Sequence, residues 1–295
     1  MSETVEATQR LGANASFVLL LLLLGVGLAV VWVGANVLFP GLAPSGIPSA
    51  VTRLTIHGVI LFGLWRGLAR AGVPPERRTA VWLVIALPFS LWLAVVWALA
   101  INGVFQPVPG IAGLPRLPVA IFLPLLVTLP LLLRSRTIGS ALDAMPAAWL
   151  IALQVYRVFG GIFLVNWIHG AASGFFAWPA AVGDMITGIL ALPVARAVAS
   201  GTTRGRRAGL LWNILGLTDF AVAITMGVLS TPGPLQHFGL DIPLSEVGTY
   251  PTVMIPAFAV PSSILLHALS IRQLRRRSST MGASNVIAAE AVPAA

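Results

Sequence analysis

Three charged residues stand in the middle of long apolar runs: Arg157, Asp184 and Asp219. Two amide side chains, Gln154 and Asn213, lie in the same runs. A charge in the centre of a bilayer costs about 2.5 to 3.5 kcal/mol on insertion scales, so it normally faces a partner or a cavity. An arginine and two carboxylates could pair with one another, bind the polar part of a substrate, or handle a proton. These five residues are therefore the predicted charge cluster or substrate-binding site.

The depth of each charge in the membrane shows which residues could meet. At about 1.5 Å per helical residue, Arg157 lies about 13 Å from the inner boundary and Asp219 about 16 Å from it. Asp184 lies about 21 Å above that boundary in a hydrocarbon core of about 30 Å. A forked guanidinium could bridge both carboxylates at these depths. The cluster either orients three helices or handles a substrate or proton, and the sequence leaves both roles open.

The histidines suggest a second kind of site, a haem site, because membrane cytochromes can hold haem between histidines of neighbouring helices. Paired axial ligands must lie at similar depth. His57 is about 10 Å below the outer boundary, His169 is at that boundary, and His267 is about 24 Å below it. No two are level, which disfavours a haem with two histidine ligands. A haem with one histidine ligand, or a quinone site, is still compatible with the sequence. Its candidate contacts are His57, His169 and His267. In the alternative interpretation, each isolated histidine is a hydrogen-bonded packing residue.

Several reaction classes are excluded by missing residues or motifs. The chain has no cysteine, which excludes thiol catalysis, disulfides and thiolate metal sites. It has no lysine, which excludes Schiff-base chemistry. There is no G-x-S-x-G, no H-E-x-x-H and no phosphate-binding loop. We therefore predict no catalytic residues and no metal site, and we favour a protein that is not an enzyme.

The composition places these residues in a membrane. Hydrophobic residues make up 57% of the chain, charged residues 9%, and the mean hydropathy is +0.92. A soluble domain carries about 25% charged residues. The net charge is +9, but the arginines flank apolar runs instead of forming one basic face, so we predict the lipid bilayer, not nucleic acid, as the partner.

The apolar runs predict an all-α transmembrane bundle of eight spans, since a crossing helix needs about 20 apolar residues. The predicted spans are Phe17–Phe39, Ala50–Ala69, Ala80–Val104, Leu117–Leu133, Ala148–Gly170, Trp178–Val198, Gly209–Leu229 and Pro251–Ile271. The predicted division is a cytoplasmic tail at 1–13, a bundle at 14–275 and a disordered cytoplasmic tail at 276–295. Within the bundle, 14–134 holds spans one to four and 147–275 holds spans five to eight. The segment between them, 135–146, is predicted to lie at the interface.

The orientation follows from the basic residues, all 18 of which are arginine. Fifteen fall in five clusters that alternate along the chain with loops nearly free of basic residues. Basic loops stay on the cytoplasmic side, so this alternation predicts that both termini lie in the cytoplasm. Arg53, Arg116 and Arg157 lie outside the clusters.

Prolines suggest where spans are interrupted. Span four contains Pro118, Pro124 and Pro130, and span eight contains Pro251, Pro256 and Pro261. Interrupted helices at matching positions of two halves are a sequence signal for a transporter site. Proline kinks are also common in membrane helices, so the pattern has a purely structural interpretation as well.

Four motifs carry a resemblance: YRVFGG at 156–161, PAAVGD at 179–184, WNILGLTD at 212–219 and IPAFAVPSSILLH at 255–267. Over about residues 145–275 the chain resembles an uncharacterised family of bacterial multi-pass inner-membrane proteins. The resemblance implies an inner-membrane protein. It draws attention to five residues, namely Arg157, Asp184, Asn213, Asp219 and His267.

The favoured function is a small-molecule carrier or binding protein with its polar site among spans five to eight. A haem- or quinone-linked redox component is one alternative. A structural or regulatory membrane subunit without catalysis is the other.

Overall fold

The computed structural model of the chain describes residues 2–107, 116–242, 244 and 246–290, with side chains given between residues 15 and 276. Throughout these ranges the ordered elements are helices, and no strand occurs. Eight helices are long and apolar enough to cross a membrane, which confirms the eight-span prediction. They are Ala15–Leu38, Ile47–Arg70, Pro75–Ile101, Arg116–Arg134, Ala148–Ile168, Gly174–Ala199, Thr203–Ser230 and Ile255–Arg276.

The helices that contain the first and last spans are longer than the spans themselves. The first runs from Ser2 to Leu38, and the last continues to Glu290. The sequence predicts tails at 1–13 and 276–295, and the helices extend through most of both regions. The bounds of span eight also differ, because the sequence places its outer end at Pro251 and the structure begins it at Ile255.

Span five is not one continuous α-helix. It consists of the α-helix Ala148–Ala152, a 3₁₀ segment Leu153–Gly161 and the α-helix Ile162–Ile168. A 3₁₀ run of nine residues is unusual, since such runs rarely exceed three or four. Two consecutive glycines, Gly160 and Gly161, weaken the α-helix at the end of this segment. Side chains three residues apart are aligned in a 3₁₀ helix, which places Gln154, Arg157 and Gly160 in one line on its buried side.

Span eight is irregular at its start. Residues Ile255–Ala259 form a π-helical turn that includes Pro256, and the α-helix Val260–Glu290 follows. Span four, in contrast, is one α-helix through both Pro124 and Pro130. The predicted parallel between spans four and eight is therefore wrong, and the irregular pair is five and eight. Prolines alone do not reveal this, because neighbouring groups can satisfy the backbone around a membrane proline.

Spans five and eight form the centre of the bundle. In each, 61% of the most apolar 18-residue stretch is buried, against 11% in spans one and two. Span five packs against spans one and six, span six against seven, and span seven against eight, while span four covers the other side of span eight. The irregular backbone is thus enclosed by protein, the setting in which non-helical backbone is tolerated at membrane depth.

The segment between the two halves is attached to the end of span eight. It forms the short helix Arg136–Asp143, called the linker helix below, which also packs against span two. Gln273 donates hydrogen bonds to the carbonyls of Leu142 and, at 2.8 Å, of Met145. Arg276 forms an ion pair with Asp143 at 3.2 Å. These contacts fix the position of span eight at this end of the bundle.

Candidate functional site

Arg157 is the centre of the buried charge cluster. Its Nε donates to Asp184 Oδ1 at 2.7 Å, and its Nη2 pairs with Asp219 Oδ2. Its Nη1 donates to His267 Nε2 at 3.1 Å and lies 3.5 Å from the carbonyl oxygen of Gly216. The predicted bridge from Arg157 to both carboxylates is therefore present in the structure. Whether these residues bind a substrate remains a prediction.

The three charged residues of the cluster are buried. Arg157 is 3% exposed, Asp184 8% and Asp219 9%. The guanidinium carbon also lies 3.9 Å from the ring centre of Phe220, a cation–π contact that strengthens when water is excluded. One arginine and two carboxylates carry a net charge of −1 if all three are ionised. Electrostatic interactions are strong where little water is present. A ligand that enters would therefore interact strongly with this net charge.

Glycines allow the side chains to come this close. A Cβ on Gly160 would collide with the side chain of Asp184, and one on Gly183 would collide with the carboxylate of Asp219. A Cβ on Gly216 would collide with the His267 ring and would lie 2.9 Å from Arg157 Nη1. Each glycine therefore makes room for one partner of Arg157. The helices could not carry alanine at these positions without moving the charges apart.

His267 belongs to this cluster, contrary to its predicted depth. The sequence measures its depth from Pro251, whereas the span begins at Ile255. From Ile255 it lies about 18 Å below the outer boundary, or about 12 Å above the inner one, level with Arg157. The predicted depth is wrong because the predicted span begins four residues too early. This places His267 at a different level from Arg157, although the two side chains are in contact.

The hydrogen bonds assign the tautomer of His267. Arginine has only donors, so His267 Nε2 must accept from Arg157. His267 Nδ1 therefore carries the proton and donates to Asn213 Oδ1 at 2.9 Å. Asn213 Nδ2 in turn donates to the Gly209 carbonyl at 2.7 Å and to Ser270 Oγ at 3.0 Å. Both ring nitrogens of His267 are thus occupied, which leaves neither one vacant for iron.

The other predicted residues lie apart from these bonds. Gln154 is fully buried on the 3₁₀ segment, and neither atom of its amide has a partner. His57 is bonded through Nε2 to Ser90 Oγ at 3.0 Å and stacks on Phe89. His169 is exposed at the end of span five. No group of three or more metal-ligating side chains occurs among the described residues.

A cavity of about 170 Å³ leads from one end of the bundle to the charge cluster. Its wall includes loop residues at 105–107 and 231–235, together with residues of spans four to eight. Asp184 and Phe220 line it where it meets Arg157. Most other lining side chains are apolar, among them Ile121, Phe163 and Ala223. The cavity is therefore an apolar space with one carboxylate at its deep end.

A second, smaller cavity of about 20 Å³ adjoins the first. It is lined by Arg53, Tyr156 and Ser263, and it shares Asp184, Phe220, Ile255 and Val260 with the larger one. The sequence-based site omits Arg53. The available signal was its position: it is an isolated arginine inside an apolar run, away from every arginine cluster.

Comparison with known proteins gives a family without a known activity. No curated protein and no solved structure matches the sequence. Residues 114–275 match the family model of DUF8737, a domain of unknown function. This region includes Arg157, Asp184, Asp219, Asn213 and His267, while Arg53 lies outside it. The match covers more than half of the chain, and the protein belongs to the DUF8737 family.

Proposed function

We propose that the protein is a membrane carrier or binding protein for a small, largely apolar molecule. The observation that carries this proposal is the contact between the larger cavity and the charge cluster, made through Asp184. Ligand pockets are typically apolar with a few polar groups that orient the ligand. The apolar part of the ligand would occupy the cavity, and its polar part would face the cluster.

The size of the cavity limits the size of the ligand. An apolar cavity of about 150 Å³ holds a benzene molecule. A cavity of about 170 Å³ therefore suits an aromatic ring or an aliphatic group of similar volume. The loop residues 231–235 in its wall would give such a molecule a path from one side of the membrane.

The backbone at the site supports a carrier. Segments of 3₁₀ and π-helix inside longer helices often mark hinges or functional sites. Transporters place their substrate near the bilayer midplane between discontinuous helices. Span five contributes Arg157 from its 3₁₀ segment, and the π turn of span eight contributes Ile255 to both cavities.

A redox role has less support. Both nitrogens of His267 are hydrogen bonded, and His57 packs against Phe89 away from the larger cavity's lining residues. A purely structural subunit would explain the charge cluster but would need no cavity beside it.

The first experiment is native mass spectrometry of the full chain purified from its host's membranes. We expect a bound molecule on the wild type and on Val222→Trp, which alters an exposed position of span seven. Ala223→Trp fills the cavity from the next residue and should remove that molecule. Equal occupancy in all three proteins, or none in any, would contradict the proposal. A haem absorption band in the purified protein would support the redox alternative.

We further propose that both termini face the cytoplasm of a bacterial cell. The linker helix and the end of span eight carry two of the arginine clusters, and contacts such as Arg272 to the Ser135 carbonyl hold them together at one end of the bundle. Reporter fusions test this orientation. Alkaline phosphatase should be active when fused within 232–242 and inactive at the C-terminus, and the reverse pattern would reject it.

A further inference from the structure

We propose that the polar part of the ligand is a small anion, such as a carboxylate, bound by Arg53, Tyr156 and Ser263 in the smaller cavity. This inference rests on the proposed function and specifies the chemical class of the ligand.

Arg53 is the residue that requires an anion. It is 5% exposed, and its Nε is completely enclosed without a hydrogen-bond partner. It donates to no side chain or carbonyl and forms no ion pair within the part of the chain that the structure describes. Buried charges in proteins are normally paired and hydrogen bonded. A buried guanidinium that lines a cavity and has no acceptor is therefore prepared to receive one.

The two hydroxyls add a donor to the same cavity. Tyr156 Oη and Ser263 Oγ are hydrogen bonded to each other. Each hydroxyl has one proton, so one of the two donates within the pair and the other keeps its proton free. Arg53 lines the same space as these two hydroxyl residues. Together they suit a carboxylate oxygen, which can accept more than one hydrogen bond.

The nearby carboxylates do not take this role. Asp184 and Asp219 are both bonded to Arg157, and neither forms an ion pair with Arg53. An anion held by Arg53 would gain direct charge-assisted hydrogen bonds, whereas its repulsion from Asp184 is opposed by the bond that Asp184 makes to Arg157.

The two cavities divide the ligand into head and tail. The smaller one has room for about one water-sized group, so it admits one oxygen of the head group only. Because Phe220, Ile255 and Val260 line both spaces, an apolar tail can continue into the larger cavity. The predicted ligand is an amphipathic monoanion with a compact tail.

Three probes of the same shape test the head group: 3-phenylpropionate, 3-phenylpropan-1-ol and 3-phenylpropylamine. Each is added at neutral pH to the purified full chain in detergent, and the shift in melting temperature is measured over a concentration series. We expect stabilisation by the propionate alone. Arg53→Met should weaken its apparent affinity at least about tenfold, since hydrogen bonds to charged groups are the strong ones. Tyr156→Phe should weaken it by a smaller factor.

The matched control is Arg66→Met, which removes the same charge from an exposed position of the same span, away from both cavities, and should leave the affinity unchanged. Equal binding of the alcohol would overturn the anion inference and leave the proposed function standing. Preference for the amine would also overturn it, and would point to the net negative charge around Asp184. Binding of none of the three would contradict both proposals for ligands of this size.

Discussion

Two buried arginines differ in what surrounds them. Arg157 contacts two carboxylates, a histidine nitrogen, a backbone carbonyl and an aromatic ring. Arg53 is almost as deeply buried but contacts no acceptor among the described residues. The same residue type thus serves two purposes in one bundle. Arg157 is paired within the protein and holds spans five to eight together, whereas Arg53 keeps its bonding capacity for a molecule from outside.

The elements around each arginine explain the difference. Arg157 lies on the central span, where glycines on spans five, six and seven let acidic and aromatic side chains approach. Arg53 lies on span two, which packs mainly against span three and the linker helix. The side chains of spans five and eight that face Arg53 leave a cavity instead of filling it. Pairing therefore depends on how closely the neighbouring helices approach.

The largest effect is expected from Arg157→Met, which removes the charge but keeps most of the side-chain volume. It leaves Asp184 and Asp219 buried without their cation, and breaking a buried pair in this way costs about 3 to 5 kcal/mol. The measurement is the free energy of unfolding in detergent, or the melting temperature where unfolding is irreversible.

A double-mutant cycle with Asp219→Asn separates pairing from general damage. Because the double variant leaves neither group alone, it should lose less stability than the two single losses added together. Strictly additive losses would show that Arg157 and Asp219 do not interact, and the contrast with Arg53 would then have no basis.

The next effect concerns the glycines that bring the charges together. In Gly183→Ala the new methyl group would occupy the space of the Asp219 carboxylate, and such overpacking costs about 1 to 3 kcal/mol. Gly63→Ala is the matched control, because a Cβ there meets nothing within 4 Å. That control should be neutral or stabilising by about 0.5 to 1 kcal/mol, since alanine is the better helix former. Equal effects of the two substitutions on melting temperature would show that the close approach at Gly183 is unimportant.

Much of this arrangement could be predicted from the sequence, and the remainder could not for identifiable reasons. Hydropathy and helical rise were sufficient for the eight spans and for the common level of Arg157 and Asp219, because both depend only on counting residues. The sequence does not predict the bonds of His267, because its apolar run extends to Pro251, four residues before the span begins. Hydropathy does not predict the 3₁₀ segment, because the segment is as apolar as an ordinary α-helical segment of this protein. The position of Arg53 beside a cavity depends on how spans two, five and eight pack. Residue positions along one span do not predict that packing.

An effect of similar size is expected at Asn213, which supports Arg157 indirectly through His267. Asn213→Ala leaves the His267 Nδ1 proton without an acceptor, and an unsatisfied buried donor of this kind costs about 1 to 3 kcal/mol. Thr225→Ala is the control on the same span, since its exposed hydroxyl bonds only to a carbonyl of its own helix. ¹⁵N NMR of the wild-type histidine should show the proton on Nδ1. A proton on Nε2 would contradict the bond from Arg157.

The smallest effect, and the one of opposite sign, is expected from Arg53→Met in the absence of ligand. This substitution removes a buried cation that has no acceptor, so the free energy of unfolding should rise, by about 1 kcal/mol, or stay unchanged. It is the same chemical change as Arg157→Met, in the same bundle and at similar burial, and so the pair tests the comparison directly. A loss comparable to that of Arg157→Met would mean that Arg53 already has a partner inside the protein. A gain in stability together with a lost response to 3-phenylpropionate would show that Arg53 is kept for binding, at the expense of stability.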